Sequence, residues 1–355
     1  MEDTVARPTF SAAPTLVGSF PHAEPRRLVE EILRRFPELP AWPQMPARDW
    51  LESMYVQYSE GLPGRVIDRQ TQRIYFRADE AFEVQLEDFY QAVVEGRVEP
   101  FAITEQYALG LHVFLEAAAR REARPPWVKG QVTGPFSFAM TVTDEHKRSL
   151  AYNPKLYEVA SHGMAMKARW LARKLRQAAE GALVVLDEPY LCSFGSAFVN
   201  VSREDVMAAI AGAVAAIHEE GALAGLHCCG NTDWSLVLST GVDGVSFDAW
   251  EFFQGLTLYP AELKSFLAAG GLLIWGIVPA NQSVDGLTAV ALLEMLDNRI
   301  EQLVAKGMDR GALLRQALLT PSCGLGTQSV ETADRAVDLL LELSARVRER
   351  TVPRA

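Results

Sequence analysis

The feature that most constrains this chain is a series of short, nearly continuous apolar runs separated by amphipathic helical stretches. Thr15–Phe20, Trp127–Thr133, Ala182–Asp187, Leu223–Cys229, Gly244–Asp248, Leu272–Val278 and Ala317–Cys323 all read this way. A run that is apolar throughout suits a strand covered on both faces, as in a parallel sheet flanked by helices. Ala41–Gln44 is a weaker candidate for the missing strand. Eight strand slots alternating with helices predict an α/β protein, a single (β/α)8 TIM barrel spanning 1–355. Residues 1–13 are expected to be flexible. A doubly wound open sheet is the rival topology, but no glycine-rich dinucleotide fingerprint follows the first strand.

Helical signals fill the gaps. Glu24–Phe36 places Leu28, Ile32 and Leu33 on one face. Ser202, with Asp205 three residues on, opens a helix over Val206–His218 in the manner of a capping box. Thr327 or Ser329 is expected to cap the last helix. From Arg48 to Gly96 the alternation breaks, which predicts a long excursion after the second strand, a flap over the barrel mouth. No Gly/Ser-rich linker and no fixed-period repeat divides the chain.

Composition narrows the function. With 355 residues, 49% hydrophobic and 22% charged, the chain can bury a large core. Its net charge of −11 disfavours nucleic acid and anionic membrane as partners, and no Lys/Arg cluster is interleaved with aromatics. No apolar run reaches the roughly 18 residues of a membrane span. The nearest, Val206–Ile217 and Gly270–Ala280, are too short. The opening residues are acidic and lack the apolar core of a signal peptide, so a cytoplasmic location is expected. In a reducing compartment Cys192, Cys228, Cys229 and Cys323 are more often catalytic, metal-binding or buried than disulfide-bonded.

The polar residues cluster at the C-terminal ends of the apolar runs: Ser19, Thr133-Gly134-Pro135, Asp187-Glu188-Pro189, His227-Cys228-Cys229, Asp248, Asn281 and Cys323. In a barrel these ends converge on one mouth, where active sites of this fold lie. On a strand His227 and Cys229 share a face, and Cys228 points into the wall. Imidazole and thiolate are good Zn²⁺ ligands, and a third from a later strand leaves a position open for substrate. Against this stands the reading that cysteines are simply buried as small hydrophobes. Asp187-Glu188 offers two carboxylates, for an ammonium group or acid/base work on one reading and for backbone N–H groups on the other. Asp248 is either a ligand or a helix-start residue, with Glu251 as the rival ligand.

Five motifs in one order carry a resemblance. Val17-Gly18-Ser19-Phe20-Pro21, Thr133-Gly134-Pro135, Asp187-Glu188-Pro189, His227-x-Cys229 and Ser322-Cys323-Gly324-Leu325 resemble the catalytic barrel of cobalamin-independent methionine synthase. That superfamily also holds the corrinoid-dependent thiol methyltransferases, which Leu226–Thr232 resembles more, and uroporphyrinogen decarboxylase, a poorer match. The resemblance implies zinc held by His227, Cys229, Cys323 and Asp248. It also implies a homocysteine site formed by Val17, Gly18 and Ser19, with Asp187 and Glu52 receiving the amino group. The family's folate-contacting Trp and Glu fall on Thr141 and Ser193, and its catalytic His on Asn281.

These departures imply a zinc-dependent methyltransferase that takes methyl from a methylcobamide, presented by a corrinoid protein, to homocysteine, giving methionine. Methyl on a folate amine needs a proton delivered to the leaving nitrogen, whereas methyl on cobalt does not. The alternatives are another thiol of the coenzyme M type, the demethylating direction, or a non-catalytic zinc barrel.

Overall fold

The computed structural model describes residues 8–351. Its strands are β1 (Ala13–Pro14), β2 (Arg65–Asp68), β3 (Arg73–Phe76), β4 (Trp127–Thr133), β5 (Thr143–Asp144), β6 (Gly181–Asp187), β7 (Leu223–Cys228), β8 (Gly244–Asp248), β9 (Leu272–Val278) and β10 (Ala317–Pro321). Seven form one parallel sheet in the order β1-β10-β9-β8-β7-β6-β4. Residues 41–44 join its two edges. The Trp42 amide donates to the Lys129 carbonyl at 3.3 Å, and the Gln44 amide donates to the Gly18 carbonyl at 2.9 Å.

The structure is therefore a (β/α)8 barrel, and Ala41–Gln44 is its eighth stave. Only isolated bridges hold that stave, because Pro40 and Pro43 have no N–H to give to a ladder. The first stave is also irregular. Regular pairing covers Ala13–Pro14 rather than Thr15–Phe20, and Gly18, at φ +138°, turns the chain out of the ladder.

Period-two alternation sorts the strand residues. One set, including Val184, Leu186, Leu226, Cys228, Phe247 and Trp275, packs outward under the helices. The other fills the barrel. Its lower layers are apolar, with Leu183, Val185, Leu272, Ile274 and Leu318 packed together with Phe10 and Leu39. On the upper turns the inward positions become polar: Lys129, Gln131 and Thr133 on β4, Asp187 on β6, His227 on β7, Ser246 and Asp248 on β8.

Helices form the outer ring. Arg203–His218 starts as expected, its Asp205 amide donating to Ser202 Oγ at 3.0 Å. Ser329, not Thr327, caps the last helix, Val330–Thr351, accepting from the Thr332 amide at 3.1 Å. The Arg48–Gly96 excursion contains a helix at Met54–Tyr58, the β2–β3 hairpin and a helix at Glu80–Val94. Its hairpin is extended by β5, which pairs in parallel with β3 in a separate three-stranded sheet.

Of the stretch expected to be flexible, residues 1–7 lie outside the described residues. Phe10, Ala12 and Ala13 are buried, because Phe10 plugs the barrel base edge-on against Trp127. Among the described residues no helix is long and apolar enough to cross a membrane.

The apolar lower layers make a direct prediction. Leu183→Ala should lower the unfolding free energy by about 2–5 kcal/mol, read as a drop in urea midpoint. Val84→Ala, at a position 72% exposed, should stay within about 0.5 kcal/mol.

Candidate active site

The register of three neighbouring strands assembles the site. Asp187 lies opposite His227, and His227 opposite Ser246, in the parallel ladders. All three side chains therefore reach the barrel mouth at one height. Beyond the ladders, Cys229 follows β7 and Cys323 follows β10. One ligand atom each from His227, Cys229 and Cys323 lie within 4.8 Å of one another, the one such trio found among the described residues.

The imidazole is aimed. His227 Nδ1 is 2.8 Å from Ser246 Oγ, while Nε2 is buried without a hydrogen-bond partner. A metal at Nε2 requires the ring proton on Nδ1, which then donates to Ser246 Oγ, the usual way a ligating histidine is oriented. The two thiols act on each other in opposite directions. A hydrogen bond from Cys229 and the Gly324 amide hold the Cys323 thiol below its usual value. The same bond and burial push Cys229 up. An orphaned imidazole nitrogen beside two sulfurs fits zinc. Cys228 points outward, as its strand position dictates, and burial pushes its thiol up to about 12.

The expected fourth ligand is otherwise occupied on one side. Asp248 Oδ1 accepts from the Trp250 and Glu251 amides, both at 2.8 Å, which holds the turn after β8; the next helix starts only at Phe253. The rival Glu251 is exposed. Neither belongs to the compact trio.

The two adjacent carboxylates divide their work. Asp187 faces a cavity of about 320 Å³ that also meets His227, Cys229, Cys323, Val17 and Ser19. Its Oδ1 is buried with no partner. Burial raises the Asp187 carboxyl, while His227 and Lys129 oppose that rise. Glu188 points the other way and is fully buried. It accepts from the Phe136 amide at 3.0 Å and the Ser137 amide at 2.7 Å, capping the helix Pro135–Thr141. Gly134 is required there, since a Cβ would lie 2.2 Å from the Glu188 carboxyl. Thr-Gly-Pro and Asp-Glu-Pro are thus two halves of one packing arrangement.

Glu52 is a correction. It is completely buried and paired with Arg48, and it is not among the cavity walls. Its Oε1 accepts from Arg48, while its Oε2 is buried without a hydrogen-bond partner. Ser53 and Met54, next along the chain, reach the cavity instead. Val17 and Ser19 line the cavity as expected. Ser19 also anchors the Cys323 loop, its carbonyl accepting from the Leu325 amide at 3.0 Å.

Sequence reasoning missed Gln44, Lys129, Gln131 and Ser246. Lys129 is buried and donates to the Val17 carbonyl at 2.6 Å, and burial pushes it down to about 8 against the pull of Asp187. The signal was present. Lys129, Gln131 and Thr133 alternate inside an otherwise apolar strand, and Ser246 stands two before Asp248.

No family model matches the chain, and no curated protein matches it. Among solved structures, a B12-independent methionine synthase from Shewanella sp. W3-18-1, in complex with selenomethionine, superposes with a TM-score of 0.56 at 15% identity. The match covers 95% of this chain and 98% of that one. The likeness is one of fold. A glycoside hydrolase, with a TM-score of 0.38 at 11% identity over 70% of this chain and 84% of that one, is too distant to bear on the site.

The Glu188 cap has a measurable pH signature. Burial pushes its carboxyl up from 4.5 to about 7, although the hydrogen bonds from Ser137 and Phe136 oppose this. A raised carboxyl binds more protons folded than unfolded. Its stabilising contribution is therefore complete below pH ~4.5 and is lost as pH rises to about 7. Wild type should lose about 3 kcal/mol relative to Glu188→Gln across that window, measured as the difference between their denaturation curves at several pH values.

Proposed function

We propose that the protein is a zinc-dependent methyltransferase that methylates the sulfur of homocysteine to give methionine, with a methylcobamide as donor. The observation that carries the reading is the convergence of a partnerless His227 Nε2, two cysteine sulfurs and a partnerless Asp187 Oδ1 on one cavity at the barrel mouth.

His227, Cys229 and Cys323 would hold the metal, with Asp248 the candidate for a further ligand through the oxygen left over by the Trp250 and Glu251 amides. When bound, zinc keeps a coordinated thiol deprotonated at neutral pH, where a free thiol of pKa about 8.5 is mostly protonated. Ser246 orients His227 through Nδ1. Asp187 receives the amino group of the substrate, and Val17 and Ser19 form the wall beside it, with Gly18 behind them against Gln131. The thiolate attacks the methyl carbon in line with the bond to the leaving group.

The donor reading rests on what stands where a proton donor is needed. Asn281 has no acidic proton, is exposed, and accepts from the Ser283 amide at 2.9 Å as the cap of its own turn. A methyl group leaving cobalt requires no proton, so a methylcobamide, brought by a corrinoid protein, suits this mouth better than a methylated folate. The carboxylate of Asp187 favours an amine-bearing thiol over a sulfonate such as coenzyme M. The proposal places the protein in the cytoplasm, where its thiols stay reduced.

The test is methionine formation, followed by mass spectrometry, from homocysteine with either methylcobalamin or methyltetrahydrofolate. Chelator-sensitive methionine from methylcobalamin alone is the expected result. Product from the folate alone would sink the donor assignment, and product from neither with zinc-loaded protein would sink the acceptor. Metal content gives an independent check. His227→Ala and Cys323→Ala should lose stoichiometric zinc while Cys228→Ala keeps it. Ser246→Ala should weaken zinc affinity about 10–100-fold in a chelator competition.

A further inference from the structure

The cavity floor contains a second acceptor that is as unsatisfied as Asp187. Gln131 is 1% exposed, yet its Oε1 is buried with no hydrogen-bond partner while it lines the same cavity. An amide can be flipped when nothing fixes it. Here the NH2 end has a use, since Nε2 lies 3.5 Å from the Trp42 carbonyl and donates to it. The oxygen is left for another donor.

The surroundings hold the amide in place. Gly18, at φ +138°, lies against it, and a Cβ there would fall 2.3 Å from both the Gln131 carboxamide carbon and Oε1. Tyr58 donates its hydroxyl to the main-chain carbonyl of Gln131, which fixes the backbone that carries the carboxamide. Lys129 holds the Val17 carbonyl at 2.6 Å, which keeps the Gly18 turn closed over Gln131. A buried polar atom without a partner costs free energy unless a ligand or water supplies one. Two such acceptors, Asp187 Oδ1 and Gln131 Oε1, in one cavity call for a group with several donors. An ammonium group has three.

We propose that Gln131 is the second acceptor for the amino group of the thiol substrate, in the role the sequence suggested for Glu52, which does not line this cavity. The assignment rests on the homocysteine reading and adds to it a specificity residue. Selection for an amine comes from one carboxylate and one neutral carboxamide, with Gly18 needed because no larger residue leaves room for that carboxamide.

Thiol binding to zinc-loaded protein, measured by calorimetry, tests this without turnover. The probes are homocysteine and 4-mercaptobutyrate, which lacks only the amine. Gln131→Met, similar in shape but with no acceptor oxygen, should weaken homocysteine about tenfold and leave 4-mercaptobutyrate unchanged. Gln131→Glu, which restores an acceptor, should return homocysteine binding to wild-type strength or better. Zinc content and circular dichroism of each variant establish that the barrel is intact. Equal weakening of both thiols by Gln131→Met would make Gln131 a packing element and overturn the proposal. So would no change in either, the result expected if water alone fills the cavity at Oε1. If wild type binds neither thiol, the homocysteine reading itself fails, an outcome distinct from a variant that binds both alike.

Discussion

The parallel register of β6, β7 and β8 is the constraint on which the site depends. Asp187, His227 and Ser246 occupy matched ladder positions, so backbone hydrogen bonds set the separations of their side chains. A slip of one residue in β7 would turn His227 outward and bring Cys228 into the mouth. The apolar layers below prevent that slip, because the same shift would expel Leu223 and Gly225 from the interior and force Ala224 and Leu226 into it. The chemistry at the top is thus held in place by packing at the bottom.

Around that frame the polar groups fall into supports and waiting groups. Glu188 is held by two amides, Glu52 by Arg48 at one oxygen while its other oxygen is buried without a partner, and Lys129 by the Val17 carbonyl. Each steadies a segment that bears a cavity wall. His227 Nε2, Asp187 Oδ1 and Gln131 Oε1 are buried without partners. Buried polar atoms are rarely left so unless something else completes them, and these three meet the same cavity. A site that binds a metal, a sulfur and an amine would leave unpaired the groups destined for them.

Much of this was legible in the sequence because it is local. Apolar runs of strand length named the staves, and the alternation rule sent His227 and Cys229 one way and Cys228 the other. Ser202 announced its helix by a cap that needs only three residues of context. Less legible were features that depend on distant segments. Ala41–Gln44 is short and carries a proline, so its signal was weak, and its standing as a stave comes only from its neighbours at Gly18 and Lys129. Glu52 entered through the family resemblance, and its place outside the cavity depends on how the excursion packs against the barrel. Asp248 kept two roles open, and the structure shows its Oδ1 in neither, accepting instead from the amides of the turn that follows β8.

By itself, then, the sequence determined the fold class, the end of the barrel where polar chemistry gathers, and the shared face of His227 and Cys229. These follow from side-chain periodicity, which is written along the chain. Only the tertiary structure decided which of two adjacent carboxylates faces the cavity. Asp187 and Glu188 are chemically alike and differ by one step along the backbone. Which one meets open space and which meets the Phe136 and Ser137 amides depends on where the Thr133–Thr141 segment packs, more than fifty residues earlier in the chain. The same holds for Gln131, whose unpartnered oxygen arises only when Gly18, Trp42 and β4 come together.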